Sequence, residues 1–162
     1  MSTQVTTQPL SDTELGAWRG LLRTHATLVK RLDAELEAEH GLALTSYEVL
    51  LHLSHAAERK MRMCDVAESV LLSRSGLTRL IDRLERDGFV ERVSCADDAR
   101  GAYARLTDGG LDKLRQAQVT HLDGVRKHFL AHFEESELRT LADAWTRVGG
   151  AGATAGGACS AE

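Results

Sequence analysis

Between Ser73 and Gly88 the stretch SRSGLTRLIDRLERDG carries large apolar side chains only at Leu77, Leu80, Ile81 and Leu84, at steps of three, one and three. That spacing is a single buried stripe on an α-helix, with an arginine- and serine-rich remainder turned away from it. Ser73 has the side chain of an N-cap and Gly88 suits the C-terminal end, so the helix is bounded on both sides. Upstream, CDVAESVLL reads as a short helix with Val66, Ala67, Val70 and Leu71 inward, broken at Leu72–Ser73. Downstream, FVERV and AYARLT alternate or run apolar on either side of the polar turn SCADDARG, which predicts a hairpin with a charged tip.

A helix, a tight turn, a second helix and a hairpin make up the winged helix-turn-helix arrangement. It is flanked by helices. Leu15, Trp18, Leu21, Leu22, His25, Leu28, Val29, Leu32 and Leu36 recur at threes and fours, predicting one long helix from Ser11 or Asp12 to Gly41. Thr45 with Glu48 has the pattern of a capping box for a following internal helix that carries Leu50, Leu51 and Leu53. After Thr107-Asp108 a second long helix carries Leu111, Leu114, Leu122, Val125, Phe129 and Phe133. A last helix from about Ser136 sets Leu138, Leu141, Trp145 and Val148 in a seam suited to helix-on-helix packing, the expected dimerisation surface. The expected organisation is a flexible lead-in at 1–11, one domain at 12–148, and a disordered Gly/Ala-rich tail at 149–162. Within the domain, 12–44 and 108–148 are dimerisation helices around a winged lobe at 45–107. The fold class is mainly α (α+β).

Composition narrows the function. One proline and few β-branched residues among abundant Leu, Ala, Arg and Glu favour helix. The net charge of −4 excludes a uniformly basic polymer binder but not a local basic face. Residues 57–107 hold ten basic and nine acidic side chains, against ten and fifteen elsewhere, so the acidity belongs to the flanking helices and ends. No apolar run approaches the ~20 residues of a membrane span. The first residues have neither a basic start nor an apolar core, so a cytoplasmic protein without a secretory signal or membrane partner is expected. Cys64, Cys95 and Cys159 form no disulfide framework or CxxC knuckle. No phosphate loop and no nucleophile–base–orienter set is visible, so neither catalysis nor a cofactor is expected.

The segment LSRSGLTRLIDRLERDGFVER and the run Asp98-Ala99-Arg100-Gly101-Ala102-Tyr103-Ala104-Arg105-Leu106-Thr107 resemble the MarR family of bacterial transcriptional regulators. The second follows that family's D-x-R-x-x-x-(V)-x-L-T pattern, with Ala104 in the valine position. The resemblance covers roughly 12–148. It implies a triangular homodimer, a palindromic double-stranded DNA operator, and release by a small ligand or an oxidant; a repressor is the expected role. The family's wing often has a further arginine at the position of Ala99, whose absence weakens the expected grip.

The residues themselves point the same way. Ser73, Arg74, Ser75, Thr78 and Arg79 would enter the major groove first, Arg83 would meet the backbone, and arginine can bond a guanine edge with two hydrogen bonds. Arg100 at the wing tip is long enough for the narrow minor groove, with Asp98 orienting its guanidinium.

Three sensors compete. A small aromatic or phenolic effector would sit near Trp18, Arg23 and His25, with His52 or His55 as further wall. A thiol switch would use Cys64, at an expected helix N-cap, or Cys95 at the wing turn. Peroxide sensors of the MarR family carry their cysteine near the start of the first helix, where this chain has none. A metal sensor would use His128 and His132, one helical turn apart, with His121 one heptad earlier, but two ligands do not close a tetrahedral site, so no metal residues are assigned. The remote alternative is a helical small-molecule-binding protein or enzyme without DNA binding.

Overall fold

The computed structural model describes residues 8–95 and 98–149, with the side chains of 95 and 98–101 left out of the description. Six helices and three strands follow in the order α1, α2, β1, α3, α4, β2, β3, α5, α6. The expected lead-in up to residue 7 and the tail from residue 150 onward, with Cys159, lie outside the described residues.

Helix α1 spans Asp12–His40. Ser11 Oγ accepts the Glu14 N–H and the Glu14 carboxylate accepts the Ser11 N–H, a reciprocal box that satisfies two otherwise orphaned donors. Gly41 ends the helix in the left-handed conformation. Of the predicted apolar stripe only Leu36 is fully buried, while Trp18, Leu21, Leu22 and Val29 remain exposed in the single chain.

Helix α2 spans Leu44–His55 and begins differently from the sequence reading. Thr45 lies inside the helix, and Ala43 stands at the N-cap with no side-chain hydrogen bond. The carboxylate of Asp33 on α1 accepts the Leu44 N–H at 2.8 Å instead. An acid near an N-terminal turn satisfies its free N–H groups and its dipole from any element.

Strand β1 (Lys60–Arg62) leads into α3 (Met63–Ser69), and α4 (Arg74–Arg86) follows. Val66, Ala67 and Val70 turn inward as expected, but Leu71 does not: its side chain is 92% exposed. Leu71 sits at φ 55°, which swings its Cβ out while Leu72 packs against the core. Helix α4 buries Leu77, Leu80, Ile81 and Leu84. Each contributes roughly 1.5–3 kcal/mol of burial, so the opposite face is held rigidly outward.

Strands β2 (Val90–Cys95) and β3 (Asp98–Leu106) form the predicted hairpin, with strand extending to Asp98 through most of the expected loop. The hairpin is part of a three-stranded antiparallel sheet of order β1-β3-β2. Ala104 pairs with Met61 on one side and Arg92 on the other, fully buried on the central strand. The pairing of β1 was not foreseen, because three residues are too short for a period-2 signal to stand out.

Helix α5 (Asp108–His128) starts at Thr107, whose Oγ1 accepts the Gly110 N–H and donates to the Gly88 carbonyl. It crosses α1 where a Cβ on Gly124 would stand 2.7 Å from Glu35 Oε2 and Leu32 Cδ2. At its start, a Cβ on Gly110 would stand 2.0 Å from the Phe89 carbonyl oxygen. The helix stops at His128, before Phe129 and Phe133, whose rings pack together at 5.1 Å beside a 3-10 turn at Leu130–His132. Helix α6 (Glu135–Gly149) contains no buried residue. The core lies where α2, α4 and the sheet meet, through Tyr47, Leu50, Leu53, Leu77, Ile81, Leu84, Val90 and Leu106.

Candidate nucleic-acid interface

The outward face of α4 is organised from its first residue. Ser73 Oγ accepts the Gly76 N–H at 3.1 Å, capping the helix, and lies 3.3 Å from Ser75 Oγ. Thr78 Oγ1 donates to the Arg74 carbonyl at 2.9 Å. Its proton is therefore spent, and it meets a partner as an acceptor or through its methyl group. Arg74 and Arg79 are exposed and form no ion pair or hydrogen bond among the described residues. Two free guanidiniums on a rigid helix near its N-terminus can bond base edges or phosphates.

Arg83 differs. Its Nη2 donates to Ser46 Oγ at 3.1 Å, and Ser46 is a buried polar residue of α2. The guanidinium is thereby braced against α2, with its other donors left to the solvent face. Ser46 as its seat had no signal in the sequence beyond a serine in an otherwise apolar helix.

The hairpin is fastened to α4 by residues the sequence reading missed. The Arg92 guanidinium joins both Asp82 and Glu85, and its backbone N–H reaches Glu85 Oε1 at 3.1 Å. Arg105 of β3 bonds Glu91 of β2 at 2.7 Å across the pair. The available signal was two acids three residues apart on α4 facing an arginine on the adjacent strand. The backbones of Asp98 and Arg100 lie in β3, but their side chains, and that of Cys95, are outside the described residues.

The suggested effector residues divide into two groups. Trp18, Arg23 and His25 stand exposed on the N-terminal half of α1. On α2, His52 is half-buried and His55 exposed. No hydrogen bond, ion pair or ring contact joins the two groups among the described residues. Burial pushes the His52 imidazole pKa down, with the nearby His55 charge adding to it, and burial raises that of the Glu48 carboxyl. Tyr47, which is not among the sequence candidates, packs its ring on His121 with centroids 4.5 Å apart. The buried His121 Nδ1 has no hydrogen-bond partner among the described residues, and burial lowers that imidazole's pKa.

The other sensor residues are placed differently from expectation. Cys64 is the second residue of α3 and not its cap, the N-cap position being Arg62; its exposed thiol donates to Asp65 Oδ1 at 3.4 Å. His128 ends α5 and bonds Glu35 Oε1 at 2.7 Å, while His132 lies exposed in the 3-10 turn. Because the helix stops between them, His128 and His132 do not share a helical face. Among the described residues no group of three or more His, Cys, Asp or Glu is placed to hold a metal ion. On α6, Leu138 and Leu141 are half-buried, while Trp145 and Val148 are 44% and 79% exposed. Among the described residues no helix is long and apolar enough to cross a membrane.

Residues 40–101 match the family model described as MarR family. The chain is also 32% identical over 105 residues to the HTH-type transcriptional regulator YkoM of Bacillus subtilis (strain 168), spanning 64% of this chain and 67% of that one. The chain belongs to the MarR family. Among solved structures it is similar to AbsC, a MarR family transcriptional regulator from Streptomyces coelicolor, at 35% identity and TM-score 0.82 over 88% of this chain and 96% of that one. It is likewise similar to Sco3205, a MarR family transcriptional regulator from the same organism solved in complex with DNA, at 29% identity and TM-score 0.83, covering 90% and 91% of the two chains. The MarR fold thus accounts for the whole arrangement of α4, the hairpin and the flanking helices. This MarR-family chain is a transcriptional regulator of the winged helix-turn-helix class.

Proposed function

We propose that this chain is a homodimeric, sequence-specific DNA-binding repressor that reads a palindromic operator. The observation that carries the reading is the pair of exposed arginines, Arg74 and Arg79, without a partner among the described residues, on a capped helix immobilised by four buried side chains. The similarity to a relative solved in complex with DNA supports DNA as the partner. Arg74, Ser75, Thr78 and Arg79 would read base edges in the major groove, and Ser73 and the braced Arg83 would seat phosphates. Arg100 with Asp98 would follow the minor groove. The function is binding, with no reaction assigned to any residue.

Dimerisation is supported by the apolar surface left open in one chain. Helix α6 has no fully buried residue and leaves Trp145 and Val148 open, and the N-terminal half of α1 shows Trp18, Leu21 and Leu22 to solvent. A second copy covering these faces would set two α4 helices about 34 Å apart, one helical turn of DNA. A small aromatic or phenolic effector is the proposed release signal. Its support is the half-buried His52 and the Tyr47–His121 stack, between the dimer-forming helices and the DNA-reading lobe.

The test is a mobility-shift titration with a duplex that the protein selects from a randomised pool, at several salt concentrations. Affinity falls steeply with salt, as counterions are released from phosphates. Arg79→Ala weakens specific binding by about 1–3 kcal/mol, as expected for loss of a bidentate base contact. No selected sequence, or an Arg79→Ala protein that binds like wild type, would overturn the reading.

A further inference from the structure

Leu71 combines two features from which the free protein gains nothing. Its φ of 55° lies in the left-handed region, where a Cβ crowds the following carbonyl oxygen. Its side chain is the most exposed among the large apolar residues described. The conformation is held from both sides: Leu71 N–H donates to the Glu68 carbonyl at 3.3 Å and Leu72 N–H to the Ala67 carbonyl at 2.9 Å. Glycine would take this turn without strain, and a polar residue would suit the solvent. An isobutyl group does neither. It stands two residues before Ser73, the cap of α4, and three before the exposed Arg74.

We propose that Leu71 is a DNA-contacting residue. Its methyl groups would pack on apolar carbon at the edge of the major groove as Ser73 and Arg74 enter. The thymine C5-methyl is the apolar feature that groove displays, and the adjoining deoxyribose offers the same chemistry from the backbone side. Covering the side chain there removes both partners from water, which would explain an apolar residue in a strained and exposed turn. Leu71 stands in the turn that leads directly into the Ser73 cap of α4, on a different element from the open faces of α1 and α6. The inference rests on the DNA-binding reading above.

The experiment uses the full chain and the duplex it selects from a randomised pool. Binding by fluorescence anisotropy and thermal melting are measured for wild type, Leu71→Gly and Leu71→Asn, two residues that accept the left-handed conformation. Both variants melt at or above the wild-type temperature, while affinity falls about three- to tenfold from the lost apolar burial. Replacing single thymines by deoxyuridine separates the two sources. With a methyl contact, one such replacement weakens wild type and leaves Leu71→Gly unchanged; with a sugar contact, every replacement affects both proteins equally. Variants that bind as tightly as wild type overturn the proposal. So does a lowered melting temperature in both, which would make Leu71 a determinant of the fold. If wild type selects no duplex, the DNA-binding reading itself fails, which is a different result from wild type and Leu71→Gly binding alike.

Discussion

Arg92 Nη2 on β2 donates to Asp82 Oδ1 on α4 at 2.5 Å, and the same guanidinium also holds Glu85 one turn further along. One side chain therefore fastens the hairpin to α4 and offsets one of the two negative charges that Asp82 and Glu85 place there. The wing and the helix are set in register by this fork.

Arg92→Ala is expected to lower DNA affinity more than it lowers stability. The pairs are largely solvent-facing, so their loss costs at most about 1 kcal/mol in urea unfolding. Affinity falls by roughly tenfold, since one more negative charge beside α4 is left uncompensated and the wing loses its orientation. Parallel urea and anisotropy titrations check the contrast.

Gly110→Ala and Gly124→Ala should differ sharply. At Gly110 the new methyl meets the Phe89 backbone carbonyl, which cannot turn aside, so a loss of roughly 1–3 kcal/mol or more is expected in denaturant unfolding. At Gly124 it meets the ends of Glu35 and Leu32, which are able to swing away. There the gain in helix propensity of up to about 1 kcal/mol offsets the displacement, and the net change is near zero. The Glu35–His128 bond is the expected casualty.

Acid should destabilise the protein through His121. Burial holds its pKa below the ordinary 6.5, so the unfolded chain binds a proton before the folded one does. Stability is then complete above about pH 6.5 and is lost as pH falls from there toward the lowered folded value. His52, also lowered by burial, acts in the same direction. His121→Phe keeps an aromatic partner for Tyr47 and removes one titration. Chemical unfolding at pH 7.5 and 5.5 should show a smaller difference in the variant than in wild type.

Trp145→Asp is expected to shift the protein toward monomer in sedimentation velocity at micromolar concentration. An ionised carboxylate on the open α6 face would lose its hydration if a second chain covered it. The isolated chain buries no α6 residue, so helix content by circular dichroism changes little. Operator affinity falls with dimer content.

Much of this was legible in the residue order because the signals are local. The stripe Leu77, Leu80, Ile81 and Leu84, the Ser73 cap and the Ser11 start of α1 each follow from a few neighbouring residues. The errors occurred where a partner distant in sequence replaced the local one. Asp33 caps α2 in place of Thr45, and Ala104 recruits a three-residue β1 into the sheet. Leu71 fitted the helical spacing of α3 but lies just beyond its end, where positive φ reverses its direction.

By itself, the order of amino acids determined the type and bounds of most elements, the buried face of α4 and the arginines opposite it. These depend on helical periodicity and capping within a few residues. Packing in three dimensions settled which polar groups spend their hydrogen bonds inside the molecule and which stay free. Arg83 rests on Ser46 and Arg92 on two acids, while Arg74 and Arg79 have no partner among the described residues. The reason is physical: hydrogen bonds and ion pairs act over about 3–4 Å, and only the fold brings residues 37 or 93 positions apart within that distance.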